Sequence, residues 1–345
     1  MNVAVTRRPW EAGRLWHQLR ATTQHGLAVG ALQSIETNTE RIVSANVEFV
    51  VRILANLSRK ENARKQQGKT APANPFLPYE TDLYVTDLSE THLCLLNKFN
   101  VVDHHFLIVT RQFEPQENWL TLADFEALVR CLQEVDGLAF FNSSKQAGAS
   151  QPHKHLQVVP YSESLRCFPM EPVITQAIGQ AQAKTSPQAS DQRTHADNKP
   201  HLATFSDQLP FCHAIASVTD TSVTDTSVTD ASVTGPLAQT APPTLRATHY
   251  LSGYHTLLSA IAPSTTAKSK NHHWQGKQSF AYNLLCTRHW MMAVPRSQEK
   301  HANISVNSLG FAGSLLVKNA ETLKKLKDIS PIKLLQHVSY PPTRS

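Results

Sequence analysis

The chain has 345 residues, a net charge of +6, a pI near 9.0 and 41% hydrophobic residues, enough for one large or two modest domains. No apolar run approaches the ~20 residues of a membrane span, and Pro9 and polar residues follow Arg7 and Arg8 where a signal peptide would turn apolar. The basicity suits an anionic partner without saying which; Lys and Arg are scattered rather than clustered with aromatics, so no nucleic acid is expected, and no membrane. The five cysteines, Cys94, Cys131, Cys167, Cys212 and Cys286, form no CxxC pair. They read as free thiols of a reducing compartment, so a cytoplasmic protein is expected.

Trp10, Leu15, Trp16 and Leu19 can line one face of a short helix within residues 1–28. Ala31–Ser34 and the β-branched Val47–Leu54 read as strands. Arg59–Lys69 is a basic polar loop. Two prolines build a turn at Asn74–Pro78. Short strands near Leu83–Val85, His92–Lys98 and His105–Val109 follow, spaced as an antiparallel meander. His104 and His105 fall in the turn before the last of these and read as solvated. Thr121–Val135 is the clearest helix, with Leu122, Phe125, Leu128, Val129, Leu132 and Val135 at 3.6 spacing and Thr121 with Asp124 as a capping box.

Gly137–Tyr161 is the stretch around which the chain is organised. It reads as an apolar strand to Phe141, a small polar loop from Asn142 to Gln151, and a second strand around Leu156–Val159. His153, His155 and Gln157 alternate, so an extended chain puts them on one face, with Lys154 on the other and in solvent. A neutral imidazole is a competent nucleophile toward phosphorus near neutral pH, provided its second nitrogen keeps its proton; a backbone carbonyl can hold that tautomer. Gln157 can donate to a phosphate oxygen without titrating. Loop hydroxyls and amides can take the other oxygens. An HxH pair also occurs in metal sites, where it needs a third ligand such as His105, His213 or Cys212.

Beyond Tyr161 the composition changes. Gln176–Pro200 is Ala, Gln and Ser rich and reads as a surface excursion, LPFCH at Leu209–His213 as a return to order, and Ala216–Pro243, with its SVTDT repeat, as a disordered insertion. A helix is expected at Leu245–Ile261, a polar loop at Ala262–Gly276, and a central hairpin at Ser279–Cys286 and His289–Val294. Asn283, Arg288 and Arg296 are the polar exceptions of that apolar hairpin, and a charge there must be paired or meet a ligand. Ala320–Asp328 and Ser330–His337 read as closing helices.

FFNSSKQAGASQPHKHLQ resembles the signature of the ATP adenylyltransferases, also called diadenosine tetraphosphate phosphorylases, relatives of galactose-1-phosphate uridylyltransferase and of the histidine-triad hydrolases. NPFLPYETDLYVTDLSETHLCLLNKFNVVDHHFLIVTRQFEP, LPFCH and AYNLLCTRHWMMAVPRS extend the likeness, which covers roughly Gly30–Pro160 and Phe280–Ser297. The resemblance implies a histidine-triad-like α+β fold, with a twisted antiparallel sheet, helices on one side and two lobes. It implies that His155 takes AMP, that His153 orients it, and that Gln157 stands where the hydrolases carry a third His. Asn142, Ser143, Gly148, Ser150 and Gln151 match loop positions that hold the phosphates. Asn97 and Lys98 match a segment passing close to the nucleotide, and Asn283 and Arg288 a segment bordering it. One of Lys65 or Lys69, with Lys69 as the candidate, matches a phosphate-contacting Lys. Ser144, Lys145 and Ala147 depart from the family's Gly-Pro and Ser.

The implied reaction is diadenosine tetraphosphate plus phosphate giving ATP and ADP, with Mg²⁺ on the polyphosphate. A sugar-phosphate nucleotidylyltransferase and a metal- or nucleotide-binding module are the rival readings. The partners are then diadenosine tetraphosphate, ATP, ADP and phosphate, and the protein a monomer or homodimer. The expected division is a catalytic region at 1–170, polar excursions at 171–244, and 245–345 completing the nucleotide site.

Overall fold

The computed structural model describes residues 7–55, 74–185, 203–218, 243–263 and 274–342. Helix α1 (Leu15–Ala28) leads into a hairpin of β1 (Thr37–Ser44) and β2 (Val47–Leu54). The meander β3 (Tyr84–Asp87), β4 (His92–Leu96) and β5 (Phe106–Thr110) comes next, then α2 (Leu122–Glu134), β6 (Gly137–Asn142) and β7 (His155–Pro160). Helix α3 (Glu171–Thr185), β8 (Ala214–Ser217) and α4 (Pro243–Ile261) precede a second hairpin of β9 (Tyr282–Cys286) and β10 (Trp290–Pro295). A small ribbon, β11 (Lys300–His301) with β12 (Ile304–Ser305), α5 (Ser308–Phe311), β13 (Ser314–Val317), α6 (Ala320–Ile329) and α7 (Pro331–Val338) close the chain.

One antiparallel sheet of eight strands, ordered β3-β4-β5-β7-β6-β9-β10-β8, carries the molecule. A smaller sheet, β1-β2-β13, lies over it. The alternation along β6 shows how the large sheet is covered. Ala139 and Phe141 face a layer built by Leu15 and Leu19 of α1, Phe125 and Leu128 of α2, and Tyr254 and Leu257 of α4. Leu138 and Phe140 face the other way, onto Ile174 of α3, Leu334 and Leu335 of α7, and Phe49 and Val51 of β2. Helices therefore cover both faces, not one. Strands such as β9 and β10 are apolar on both sides because both sides are buried, each large side chain contributing roughly 1.5–3 kcal/mol.

The second face is interrupted. Leu107 and Val109 of β5 point into a separate patch with Phe76, Tyr84, Leu93 and Leu95. Val159 of β7 belongs to the larger patch. Between the two patches, on the same pleats, come His155 and Gln157, with His105 just before β5. A polar lane thus divides an otherwise apolar face.

Several expectations change. Ala31–Ser34 is coil, because Gly30 at φ +73 turns the chain out of α1; the strand is β1, whose exposed polar residues hide it from periodicity. Trp16 is largely exposed, whereas Leu15 and Leu19 are fully buried. The excursion expected from Gln176 begins inside α3, which Glu171 starts by accepting from the Phe168 amide and the Tyr161 hydroxyl, both at 2.7 Å. Ala216 belongs to β8, and the amide of Val218 donates to His289 O at 3.0 Å, so these residues are sheet and not insertion. The rest of the repeat, and Lys65 and Lys69, lie outside the described residues. The capping box at Thr121 and Asp124, both hairpin strands and the two closing helices form where expected.

Candidate active site

The polar lane begins where β7 does. The Nδ1–H of His155 donates to the main-chain carbonyl of His153 at 2.7 Å. That carbonyl accepts only from N–H, so the proton is on Nδ1 and the Nε2 lone pair is free. Nε2 has no hydrogen-bond partner among the described residues, and burial pushes the imidazole down to about 4, so the ring is neutral at physiological pH. Gln116 fixes the backbone around it. Its Oε1 accepts from the His155 amide at 2.8 Å, and its Nε2 donates to Asn142 O at 2.7 Å, tying the end of β6 to the start of β7.

His153 is completely buried and works through its carbonyl rather than its ring. Its Nε2 lies 2.8 Å from Thr110 O and 3.1 Å from Gln112 O, so it carries a proton, while Nδ1 faces the Asn74 amide nitrogen at 2.9 Å. Asn74 opens the NPF turn, and Phe76 from the same turn sets its ring edge against both imidazoles, 5.5 and 5.4 Å away.

Lys154 does point to the opposite face, but it is not solvated. Its Nζ donates to Asp124 Oδ2 at 2.7 Å, both groups being buried, and to the more exposed Glu114 at 3.2 Å. Asp124 also meets His92 Nε2 at 3.0 Å and accepts from the Thr121 amide at 2.7 Å. Burial would raise its carboxyl; the His92 hydrogen bond and the Lys154 charge outweigh that and hold it down at about 2. Helix α2, read as scaffold, is thus bonded to the back of the strand that begins with His155.

The loop from Asn142 is braced from within. Asn142 Oδ1 accepts from Asn283 Nδ2, Ser308 N and Ser308 Oγ, at 2.8, 2.9 and 2.8 Å. Ser143 Oγ accepts from the Tyr282 amide at 2.8 Å. These bonds occupy Asn142 Oδ1 and the Ser143 hydroxyl and hold the loop's shape. Ser144 Oγ, by contrast, is buried with no hydrogen-bond partner among the described residues. Gly148 has φ +91, and a Cβ there would lie 2.8 Å from Val306 O, so the position accepts only glycine. Ser150 is exposed and Gln151 half-buried at the loop's far end.

Asn283 is completely buried against the loop and presents no free group, its Oδ1 accepting from Arg296 NH1 at 2.6 Å. Arg296 forms no salt bridge. Its guanidinium donates to the carbonyls of Val338, Ala147, Val306, Gln298 and Glu299. Burial lowers it to about 9. Arg288 is not part of the site. It sits at the opposite end of the sheet, past Cys286, and donates to Leu132 O and Gln133 O at the C-terminus of α2. Lys98 is held by both oxygens of Glu80, at 2.7 and 2.9 Å. Asn97 lies beside His105.

His105 and Gln116 are what sequence reasoning missed. His105 is buried in the lane rather than solvated, and burial, with His155 nearby, takes it down to about 4. The signal was present: residues 105, 107 and 109 alternate, which puts His105 on the face of Leu107 and Val109. Gln116 carried no pattern at all.

Two family models match the chain: the Ap4A phosphorylase N-terminal domain over residues 5–176 and the ATP adenylyltransferase C-terminal domain over residues 207–341. The chain belongs to the diadenosine tetraphosphate phosphorylase family. Diadenosine tetraphosphate phosphorylase 2 of Saccharomyces cerevisiae is 26% identical over 305 residues, 81% of this chain and 79% of the relative. The crystal structure of yeast Ap4A phosphorylase Apa2 shares the fold, with TM-score 0.68, 22% identity and 97% coverage of both chains. The same enzyme in complex with Ap4A aligns at TM-score 0.66 and 20% identity, over 97% of this chain and 99% of that one. The two family segments meet where β6 pairs with β9, with Asn142 opposite Asn283, so the loop of the candidate site is built from both.

Proposed function

We propose that this protein moves AMP from diadenosine tetraphosphate to phosphate, giving ATP and ADP, through a covalent histidine–AMP intermediate at His155. The observation that carries the reading is the 2.7 Å bond from His155 Nδ1–H to the His153 carbonyl, which leaves a neutral, unpartnered Nε2 at the edge of the lane. In the first step the Nε2 lone pair forms a bond to an α-phosphorus as the P–O bond to ATP breaks. In the second, a phosphate oxygen attacks that phosphorus, the N–P bond breaks, and ADP leaves. The groups expelled, ATP in the first step and the His155 imidazole in the second, are good leaving groups and need no strong general acid. Gln157 keeps a hydrogen bond near the phosphorus without offering a base to activate water, so the intermediate persists until phosphate arrives. Mg²⁺ accompanies the polyphosphate, held by substrate oxygens and water. A metal-binding role for the HxH pair fits poorly, because both ring nitrogens of His153 are engaged by Thr110, Gln112 and Asn74.

The test is incubation with diadenosine tetraphosphate and Mg²⁺, with and without phosphate, followed by nucleotide chromatography. ATP and ADP in equal amounts, only with phosphate, is the expected result. Mass spectrometry of protein incubated without phosphate should find AMP on the peptide containing His155. Turnover without any adduct, or an adduct elsewhere, overturns the assignment.

A further inference from the structure

The lane contains a second buried imidazole that the proposed chemistry leaves unused. Asn97 Oδ1 accepts from the Phe99 amide at 3.3 Å, which turns the Asn97 NH₂ toward His105 Nδ1, also at 3.3 Å. Nδ1 of His105 is therefore the acceptor and Nε2 carries the proton. That Nε2–H is buried and has no hydrogen-bond partner among the described residues. Burying an unsatisfied donor is costly, so the position calls for an acceptor that arrives or turns. The Gln157 side chain is the neighbour on this face, close enough to favour the charged form of His105. Leu107 pairs with Gln157, so His105 sits one pleat further along β5, diagonal to it. The ring of Phe140, opposite Gln157 on β6, lies 6.0 Å from the His105 ring and closes the other side.

We propose that His105 is a positioning residue for Gln157: when nucleotide enters, the His105 Nε2–H donates to the Gln157 carboxamide oxygen and so turns the Gln157 NH₂ toward the transferred phosphate. A carboxamide has two orientations, and only one presents a donor to an oxyanion. Asn97, His105 and Gln157 form a relay in which each amide or imidazole polarity fixes the next, starting from the Phe99 main chain. This role rests on the AMP-transfer reading given above.

The experiment is a double-mutant cycle with diadenosine tetraphosphate and phosphate. His105→Phe keeps a ring and deletes the donor; its kcat should fall by about 10- to 100-fold, less than loss of a direct oxyanion donor, with KM nearly unchanged. His105→Asn, which retains an N–H, should recover part of that loss. In a Gln157→Ala background, adding His105→Phe should change kcat by less than about twofold, because the relay already ends in nothing. Losses that multiply overturn the proposal. Imidazole nitrogen NMR of the wild type supplies a measurement that needs neither turnover nor a folded variant. The Nε2–H signal of His105 should move downfield on saturation with AMP, and an unmoved signal overturns the relay. If the wild type releases no ATP from diadenosine tetraphosphate while that signal still shifts with AMP, the reading of the reaction fails and the relay stands.

Discussion

Lys154 Nζ lies 2.7 Å from Asp124 Oδ2, and both side chains are sealed from solvent on the reverse of the strand that begins with His155. The pair joins the start of β7, which carries the candidate nucleophile, to the first turn of α2, and His92 completes it from β4. Removing one partner leaves the other charge buried without compensation. Lys154→Met should therefore cost about 3–5 kcal/mol of unfolding free energy. Urea denaturation checks this, and a loss below about 1 kcal/mol would mean the pair does not pin the strand.

His153 and His155 should differ sharply when truncated. His155→Ala removes the nucleophile and should abolish turnover while nucleotide binding survives. His153→Ala keeps the carbonyl that accepts from His155 Nδ1 and loses only the ring that anchors it to Thr110, Gln112 and Asn74. Its kcat should fall about 10- to 100-fold, the cost of a less well held tautomer. Steady-state kinetics on both variants, with a nucleotide-binding titration on His155→Ala, decides the matter. Equal losses would place the His153 ring in the chemistry itself.

The pH dependence follows from two imidazoles pushed down to about 4 by burial, His105 and His155. Unfolded, they titrate near ~6.5. Above that pH both states are neutral and stability is complete. As pH falls from about 6.5 toward 4, the unfolded chain binds protons that the folded one refuses, so stability is lost through that window. The melting temperature should be flat from pH 7 to 8 and decline steadily below 6.5. The acid limb of kcat/KM should fall below pH 5. A limb near 6.5 would show that His155 is not the desolvated, buried nucleophile proposed, but an imidazole exposed to water.

The SVTDT repeat can be cut only from the correct residue. Deleting 221–234, which takes away nothing of β8 or of the Val218 bond, should leave activity and melting temperature nearly unchanged. A deletion that starts at Ala216 takes away part of β8 and the Val218 bond to His289, and should yield insoluble or destabilised protein. Thermal melts of the two deletions side by side make the comparison; indistinguishable melts would remove Ala216–Val218 from the sheet's energetics.

What the sequence made legible was local. The capping box of α2 and the alternation of HKHLQ depend on neighbours within a few positions, and so does the apolar β9–β10 hairpin. Lys154 was misread because its acids, Glu114 and Asp124, stand 40 and 30 positions away in the chain, and no periodicity announces them. Asn142, Ser143 and Asn283 have residue types that suit phosphate, and no pattern announces that Asn142 Oδ1, the Ser143 hydroxyl and the Asn283 amide also brace the loop through tertiary contacts. Arg288 was misplaced because a hairpin has two ends, and pattern alone does not say which one meets the site. Helix α3 was lost in an Ala- and Gln-rich run, whose few apolar residues are enough only because the second face of the sheet receives them.

Arg296 has a consequence for ionic strength. Among the described residues all of its hydrogen-bond acceptors are neutral oxygens, so its charge is oriented but not cancelled by an ion pair, and one of those acceptors, Ala147 O, belongs to the loop before β7. A fixed positive charge shielded from mobile ions attracts an anion about equally in dilute and concentrated salt, whereas surface lysines fade over a Debye length of about 10 Å at 0.1 M. Polyphosphate affinity should therefore level off at high salt instead of vanishing.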